Sequence, residues 1–323
     1  MKALICTSPG NMEYRQIAAP EMEKGRAILR IRRTGICGTD IHAYGGNQPY
    51  FVYPRILGHE LSADLVDADG AEGFVPGEPV TFIPYFHCGR CNACKQGKTN
   101  CCVQMKVCGV HVDGGMVEYL SVPSASLIKN NGLNYDELAM VEPLAIGAHG
   151  IRRAGVQPGE SVLIVGAGPI GLGLVEFAKI AGGEVTMTDV NAERLQFCRE
   201  QTGVNTVRPD ELGDMAADVV IDATGNLAAI NNALQYLAHG GRYVLVGLQK
   251  EAISISHPEL HKREGAVMSS RNATRADFEQ VVQSINTKKI NPVAFITHRV
   301  SFDELGLLMA DFPRQAIKVM VDH

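Results

Sequence analysis

Ser161-Val162-Leu163-Ile164-Val165-Gly166-Ala167-Gly168-Pro169-Ile170-Gly171 is the stretch whose reading decides the fold. An apolar run of strand length ends in Gly-x-Gly-x-x-Gly, and the periodicity beyond it predicts a helix from Pro169 to Ala181. In such a strand-turn-helix unit the first glycine makes the turn and the second lets the backbone approach a pyrophosphate. The third lets the helix lie close on the strand. The helix N-terminus then offers unpaired N–H groups and a partial positive charge to phosphates. Gly166, Gly168, Pro169, Ile170 and Gly171 are therefore candidate cofactor-binding residues, although the hexapeptide alone also suits a plain glycine-rich turn. Eighteen residues beyond Gly171 the next strand ends in Asp189, whose carboxylate can accept both ribose hydroxyls of adenosine. The same carboxylate would repel the extra phosphate of NADP, so NAD is the expected cofactor. The alternative for Asp189 is a cap on the helix that starts near Ala192, and Arg194 either lies over the adenine or is a solvated helix arginine.

Outward from this turn, strands and helices alternate: Glu184–Asp189, the helix from Ala192, Asp218–Gly225, a helix over 227–238, and Arg242–Leu248. Strict alternation argues for a parallel sheet covered on both faces. Before residue 150 the pattern is different, with short strands broken by Gly and Pro, as expected for a β-rich, barrel-like domain. From roughly 275 onward come two helical segments and a final apolar strand, Ala316–Val321, which should pack back onto the first domain. The expected fold is α/β in two domains. A catalytic domain takes 1–150 with a C-terminal return at 285–323, and a doubly wound nucleotide domain takes 151–284.

Composition excludes several classes. The formal charge of -5 offers no basic face for a polyanion, so nucleic acid is not an expected partner. The longest uncharged apolar stretch, between Glu160 and Glu176, is rich in glycine and shorter than the ~20 residues of a membrane span. The N-terminal stretch lacks the apolar core and cleavage site of a signal peptide, which points to a cytoplasmic protein. The nine cysteines are an odd number, and five of them fall between Cys88 and Cys102, unlike a secreted disulfide framework.

Metal ligation accounts for them better. Cys88-x2-Cys91-x2-Cys94-x7-Cys102 puts four thiolates on one loop with spacings suited to a closed tetrahedral zinc site, which leaves no position for substrate and is structural. Cys101 competes with Cys102 for the fourth place. A second, dispersed group comprises Cys37, Thr39, Asp40 and His42, then His59-Glu60, then Glu142. Cys37 and His59 supply one sulfur and one nitrogen, and a carboxylate from Glu60 or Glu142 completes three protein ligands with a fourth place open. An open zinc lowers the pKa of an alcohol and readies its carbon to release hydride to a nicotinamide. Thr39 and His42, two and five residues after Cys37, suit a path for the proton.

Together these motifs resemble the zinc-containing medium-chain dehydrogenase/reductase family, which includes alcohol, sorbitol and threonine dehydrogenases. The resemblance covers essentially the whole chain and implies a GroES-like β-barrel catalytic domain followed by a Rossmann nucleotide domain. It implies two zinc ions per subunit, the choice of Cys102 over Cys101, and roles for Cys37, Thr39, Asp40, His42, His59, Glu60 and Glu142 in zinc ligation, its surroundings and proton relay. Glu142-Pro143-Leu144 stands where alcohol dehydrogenases carry a second zinc cysteine, the mark of the polyol branch. CGTDIHAYGGNQPYFVYPRILGHE, CKQGKTNCC, GVHVDGG and SSRNAT resemble a subgroup acting on sugar acids and polyols, with an L-galactonate-like hexonate favoured. Sorbitol-like polyols and L-threonine are alternative substrates, and a catalytically inactive NAD-binding regulator is the alternative of another class. The resemblance adds Val246, Gly247, Leu248, Ser270 and Arg271 to the cofactor site. A hexonate carboxylate needs a cationic or multi-donor partner, for which Arg271 and His111 are the candidates. It also implies a homodimer or homotetramer paired through the edge strand of the nucleotide domain, at Arg242–Leu248 and the residues just beyond it.

Overall fold

The computed structural model describes residues 1–323. The chain divides into two units, Met1–Glu142 with Thr274–His323, and Pro143–Ala273. The change of hydrophobic pattern sets the divisions at 150/151 and 284/285; the second falls earlier because the helix Arg275–Asn286 is tied into the first unit. Arg275 donates to the carbonyls of Leu127 and Ala125, and Phe278 packs edge-to-face on Tyr85, contacts that periodicity does not reveal.

Pro143–Ala273 is built on six parallel strands in the order Asn205–Val207, Glu184–Thr188, Ser161–Val165, Ala217–Asp222, Leu237–Leu245 and Ala266–Ser269. Val162, Leu163 and Ile164 are fully buried, which is why this run is continuously apolar and not alternating. The chain builds outward from Ser161–Val165 to one side of the sheet, then crosses to Ala217–Asp222 on the other. The carboxyl ends of these two strands are thus the switch point at which open parallel sheets take ligands.

Two expectations are corrected here. The helix over 227–238 ends at Ala233, one 3-10 turn covers Leu234–Tyr236, and the strand already begins at Leu237, which pairs with Ala217 ahead of a register shift. Arg242–Leu248 is not an edge. Its strand is paired on both sides, because the chain returns through the helix His257–Lys262 and adds Ala266–Ser269 as the outer strand.

In the first unit, Arg26–Gly35 is the hub of a seven-stranded mixed sheet, paired with Glu60–Asp67, Tyr119–Pro123 and Lys318–Asp322. Lys318–Asp322 is the expected returning strand, antiparallel to Arg26–Gly35 and parallel to Ile296–Ser301. Leu29, Ile31, Leu61, Leu65, Phe82, Val319 and Val321 fill the core from alternate positions of these strands. A two-stranded ribbon, Tyr85–Phe86 with Lys106–Val107, closes the base of the cysteine-rich segment. No helix is long and apolar enough to cross a membrane.

Candidate metal and nucleotide sites

The glycine-rich turn has the geometry its residues suggest. Gly166 adopts φ +109°, and a Cβ at Gly171 would lie 1.8 Å from the Gly166 carbonyl oxygen, so no side chain fits between strand and helix. Gly168 is the extended N-cap and Pro169 the first residue of the helix Pro169–Ile180, where its missing N–H costs nothing. Asp189 accepts from Ala167 N at 2.7 Å and from Asn191 N at 2.8 Å, which clamps its carboxylate to the turn. The helix Ala192–Thr202 is capped by Asn191 instead, whose side chain accepts from Glu193 N and Arg194 N. Val246 N and Gly247 N both donate to Asp222 O, Leu248 is 58% exposed, Ser270 is buried and Arg271 exposed. These residues follow the carboxyl ends of Leu237–Leu245 and Ala266–Ser269, at the same end of the sheet as the glycine turn.

In the first unit the sulfurs of Cys88, Cys91, Cys94 and Cys102 all lie within 4.8 Å of one another. Cys101 is exposed and stands outside the set. Cys88 N and Gln104 N each donate to Cys102 Sγ at 3.3 Å, and backbone N–H groups of Cys94 and Val103 hold the Cys91 thiol down at about 6. The loop has one four-residue helix, Asn92–Lys95, with no buried side chain. It has too little apolar surface to hold four convergent thiols together unaided, so the donor set fits a tetrahedral thiophilic ion.

The second cluster is assembled from distant elements. Cys37 precedes the helix Gly38–Tyr44, His59 and Glu60 stand at the start of the strand Glu60–Asp67, and the ligand atoms of these three residues lie within 4.8 Å of one another. Asp40, fully buried, brackets the pair: it accepts from Cys37 N at 2.9 Å and from Gly58 N at 3.1 Å. Asp40 is thus placed to hold ligands in position, while half-buried Thr39 and exposed His42 lead outward along the same helix. His59 Nδ1 is buried with no hydrogen-bond partner, beside a thiol and a carboxylate. An orphaned imidazole nitrogen in that company fits a metal ion.

Glu142 stands outside that set of three. Its Oε1 accepts a hydrogen bond from the Tyr85 hydroxyl, and burial pushes its carboxyl up to about 7 against the pull of His59. Glu60 is held differently, with both oxygens accepting from Lys318 Nζ at 2.5 and 2.7 Å while the same ammonium donates to Ile36 O at 3.1 Å. Lys318 and Tyr85 were not foreseen. Lys318 was detectable as a lone charge inside an apolar strand, since unpaired buried lysines are avoided; Tyr85 gave no signal beyond its nearness to Cys88. His111, in the first unit, accepts Val107 N on Nδ1 and stacks on Tyr50, whereas Arg271 belongs to the second unit.

Comparison with known proteins places this geometry. Residues 23–132 match the alcohol dehydrogenase GroES-like domain, and residues 169–287 match the zinc-binding dehydrogenase domain. The L-galactonate-5-dehydrogenase of Escherichia coli strain K12 is 43% identical over 317 residues, covering 95% of this chain and 93% of that protein. The chain belongs to the zinc-binding dehydrogenase family. Among solved members, the dehydrogenase RspB from Escherichia coli CFT073, in complex with NADH, superposes with a TM-score of 0.93 at 27% identity, covering 100% of this chain and 99% of its own. A zinc-binding dehydrogenase of Sinorhizobium meliloti 1021 bound to NADP also gives 0.93, at 29% identity and with the same coverage. As a family member the protein is a dehydrogenase with a GroES-like domain and a Rossmann-type domain.

Proposed function

We propose that this dehydrogenase moves a hydride between NAD and a secondary hydroxyl of a sugar acid or polyol, with an L-galactonate-like hexonate as favoured substrate and two zinc ions per subunit. The observation that carries the reading is the Cys37–His59–Glu60 set with its orphaned imidazole nitrogen, in a chain 43% identical to a dehydrogenase named for a hexonate. When bound, zinc supplies a Lewis acid for the substrate oxygen and NAD a hydride acceptor. Cys37, His59 and a carboxylate from Glu60 or Glu142 hold the first, and Asp40 keeps Cys37 and His59 in register through their backbone. Thr39 takes the proton of the reacting hydroxyl and passes it toward His42 and solvent. The turn Gly166–Gly171 seats the pyrophosphate, and Asp189, already oriented by two backbone N–H groups, accepts the ribose hydroxyls and selects against NADP.

Arg271 or His111 meets the hexonate carboxylate. The His111 Nδ1 accepts a backbone N–H, so the ring carries its proton on Nε2 as a donor of fixed direction. Pairing of copies, as a dimer or tetramer, would use the outer strand Ala266–Ser269. The test is a panel of hexonates, polyols and L-threonine assayed with NAD and with NADP, before and after a chelator. Chelator-sensitive, NAD-dependent oxidation fastest on a hexonate supports the reading; full activity after removal of both metals, or preference for L-threonine, overturns it.

A further inference from the structure

The two carboxylates beside Cys37 and His59 are restrained by different parts of the molecule. Glu60 is neutralised by Lys318 and belongs to the set of three. Glu142 does not, and its Oε1 is held by the Tyr85 hydroxyl, buried on both sides of the contact. Tyr85 is fixed in turn by the ribbon Tyr85–Phe86 with Lys106–Val107, by the edge of Phe278, and by Cys108 N donating to Pro84 O at 2.9 Å. That ribbon is the base of the loop in which Cys88, Cys91, Cys94 and Cys102 converge.

We propose that Tyr85 is a positioning residue that keeps Glu142 beside the Cys37–His59–Glu60 set and outside it, so that the cysteine loop governs how many carboxylates an ion at that set can take. The inference rests on the reading of the set as a metal site. A fourth protein ligand would close the site in the way four thiolates close the loop, leaving no position for a hydroxyl. One carboxylate with a neutralising lysine and a second tethered away by a phenol keeps the position open. With the phenol removed, nothing else shown in the structure holds Glu142 Oε1, and an anion a short distance from a dication moves toward it.

The test is cobalt substitution of the whole protein. The spectrum of the wild type minus that of Cys37→Ser isolates the mixed site by its thiolate-to-cobalt band and its visible d–d bands. In Tyr85→Phe, which keeps the ring and its contact with Phe278, entry of Glu142 raises the coordination number, so the d–d bands weaken and shift. Cobalt affinity at that site rises by about tenfold, the scale on which partners of a ligand act. Adding Glu142→Gln to Tyr85→Phe restores the four-coordinate spectrum, a rescue that general loosening of the fold would not give. Unchanged bands in Tyr85→Phe, or a double variant no closer to wild type than the single, overturns the proposal, and a destabilised Tyr85→Phe that Glu142→Gln does not rescue counts in the same way. Loss of the reading beneath it would look different, because the wild type would then take up a single cobalt per chain and Cys37→Ser would subtract to nothing.

Discussion

Between Cys88 and Cys102 four sulfurs come from a single loop with almost no core of its own, whereas Cys37, His59 and Glu60 come from separate elements and are braced by Asp40, Tyr85 and Lys318. The first cluster contains its ligands and little else. The second is embedded in a lattice of buried hydrogen bonds that the protein completes without any ion. A loop of the first kind depends on metal for its shape, while a site of the second kind is shaped beforehand and can leave a position open.

The largest effect should separate chemistry from architecture. Cys37→Ser or His59→Ala is expected to lower kcat by about a hundredfold or more, with NADH binding by fluorescence retained; an unchanged kcat would show that the mixed cluster is not where the reaction occurs. Cys94→Ser should act in the opposite sense, removing one zinc per chain and lowering Tm by about 10 °C. Metal analysis and calorimetry would check this, and equal Tm values for Cys94→Ser and wild type would break the comparison. Lys318→Met leaves Glu60 as an uncompensated buried charge and should cost about 3 kcal/mol of stability in denaturant titrations. Lys318→Met with Glu60→Gln should recover part of the loss.

Two smaller effects lie outside both clusters. Asp189→Ser should reduce the NAD-to-NADP preference by about tenfold with both metals still in place, read from kcat/KM for each cofactor. His323 stacks on Phe302 and shares a hydrogen bond with Thr34, and burial holds its imidazole down at about 3, from an ordinary value of 6.5. The unfolded chain therefore binds the proton first, so this contribution to stability is whole above pH 6.5 and is lost as pH falls toward 3. Tm measured across that interval should decline less steeply in His323→Phe than in wild type.

The parallel sheet and the nucleotide turn were legible in the sequence because both depend on local signals: an apolar strand, three glycines and an acid at fixed spacing. The cysteine loop was legible for the same reason. What could not be read was whatever depends on contacts between distant segments. The helix 227–238 hid an early strand because Leu237 is recruited by pairing with Ala217, and the edge was misplaced because Ala266–Ser269 is short. Around Cys37 the spacing supplied the ligand types, but neither Tyr85 nor Lys318 carries a local mark of its partner, Glu142 or Glu60.

Lys318 gives the order of biosynthesis a physical meaning. It lies 258 residues beyond Glu60, so a chain emerging from the ribosome exposes Cys37, His59 and Glu60 long before their counter-ion is made. The cysteine loop, complete within fifteen residues, can take its ion while translation continues. Maturation of the other centre must wait until the whole intervening nucleotide domain has been synthesised and the returning strand has docked, which makes its metal the last component to be installed.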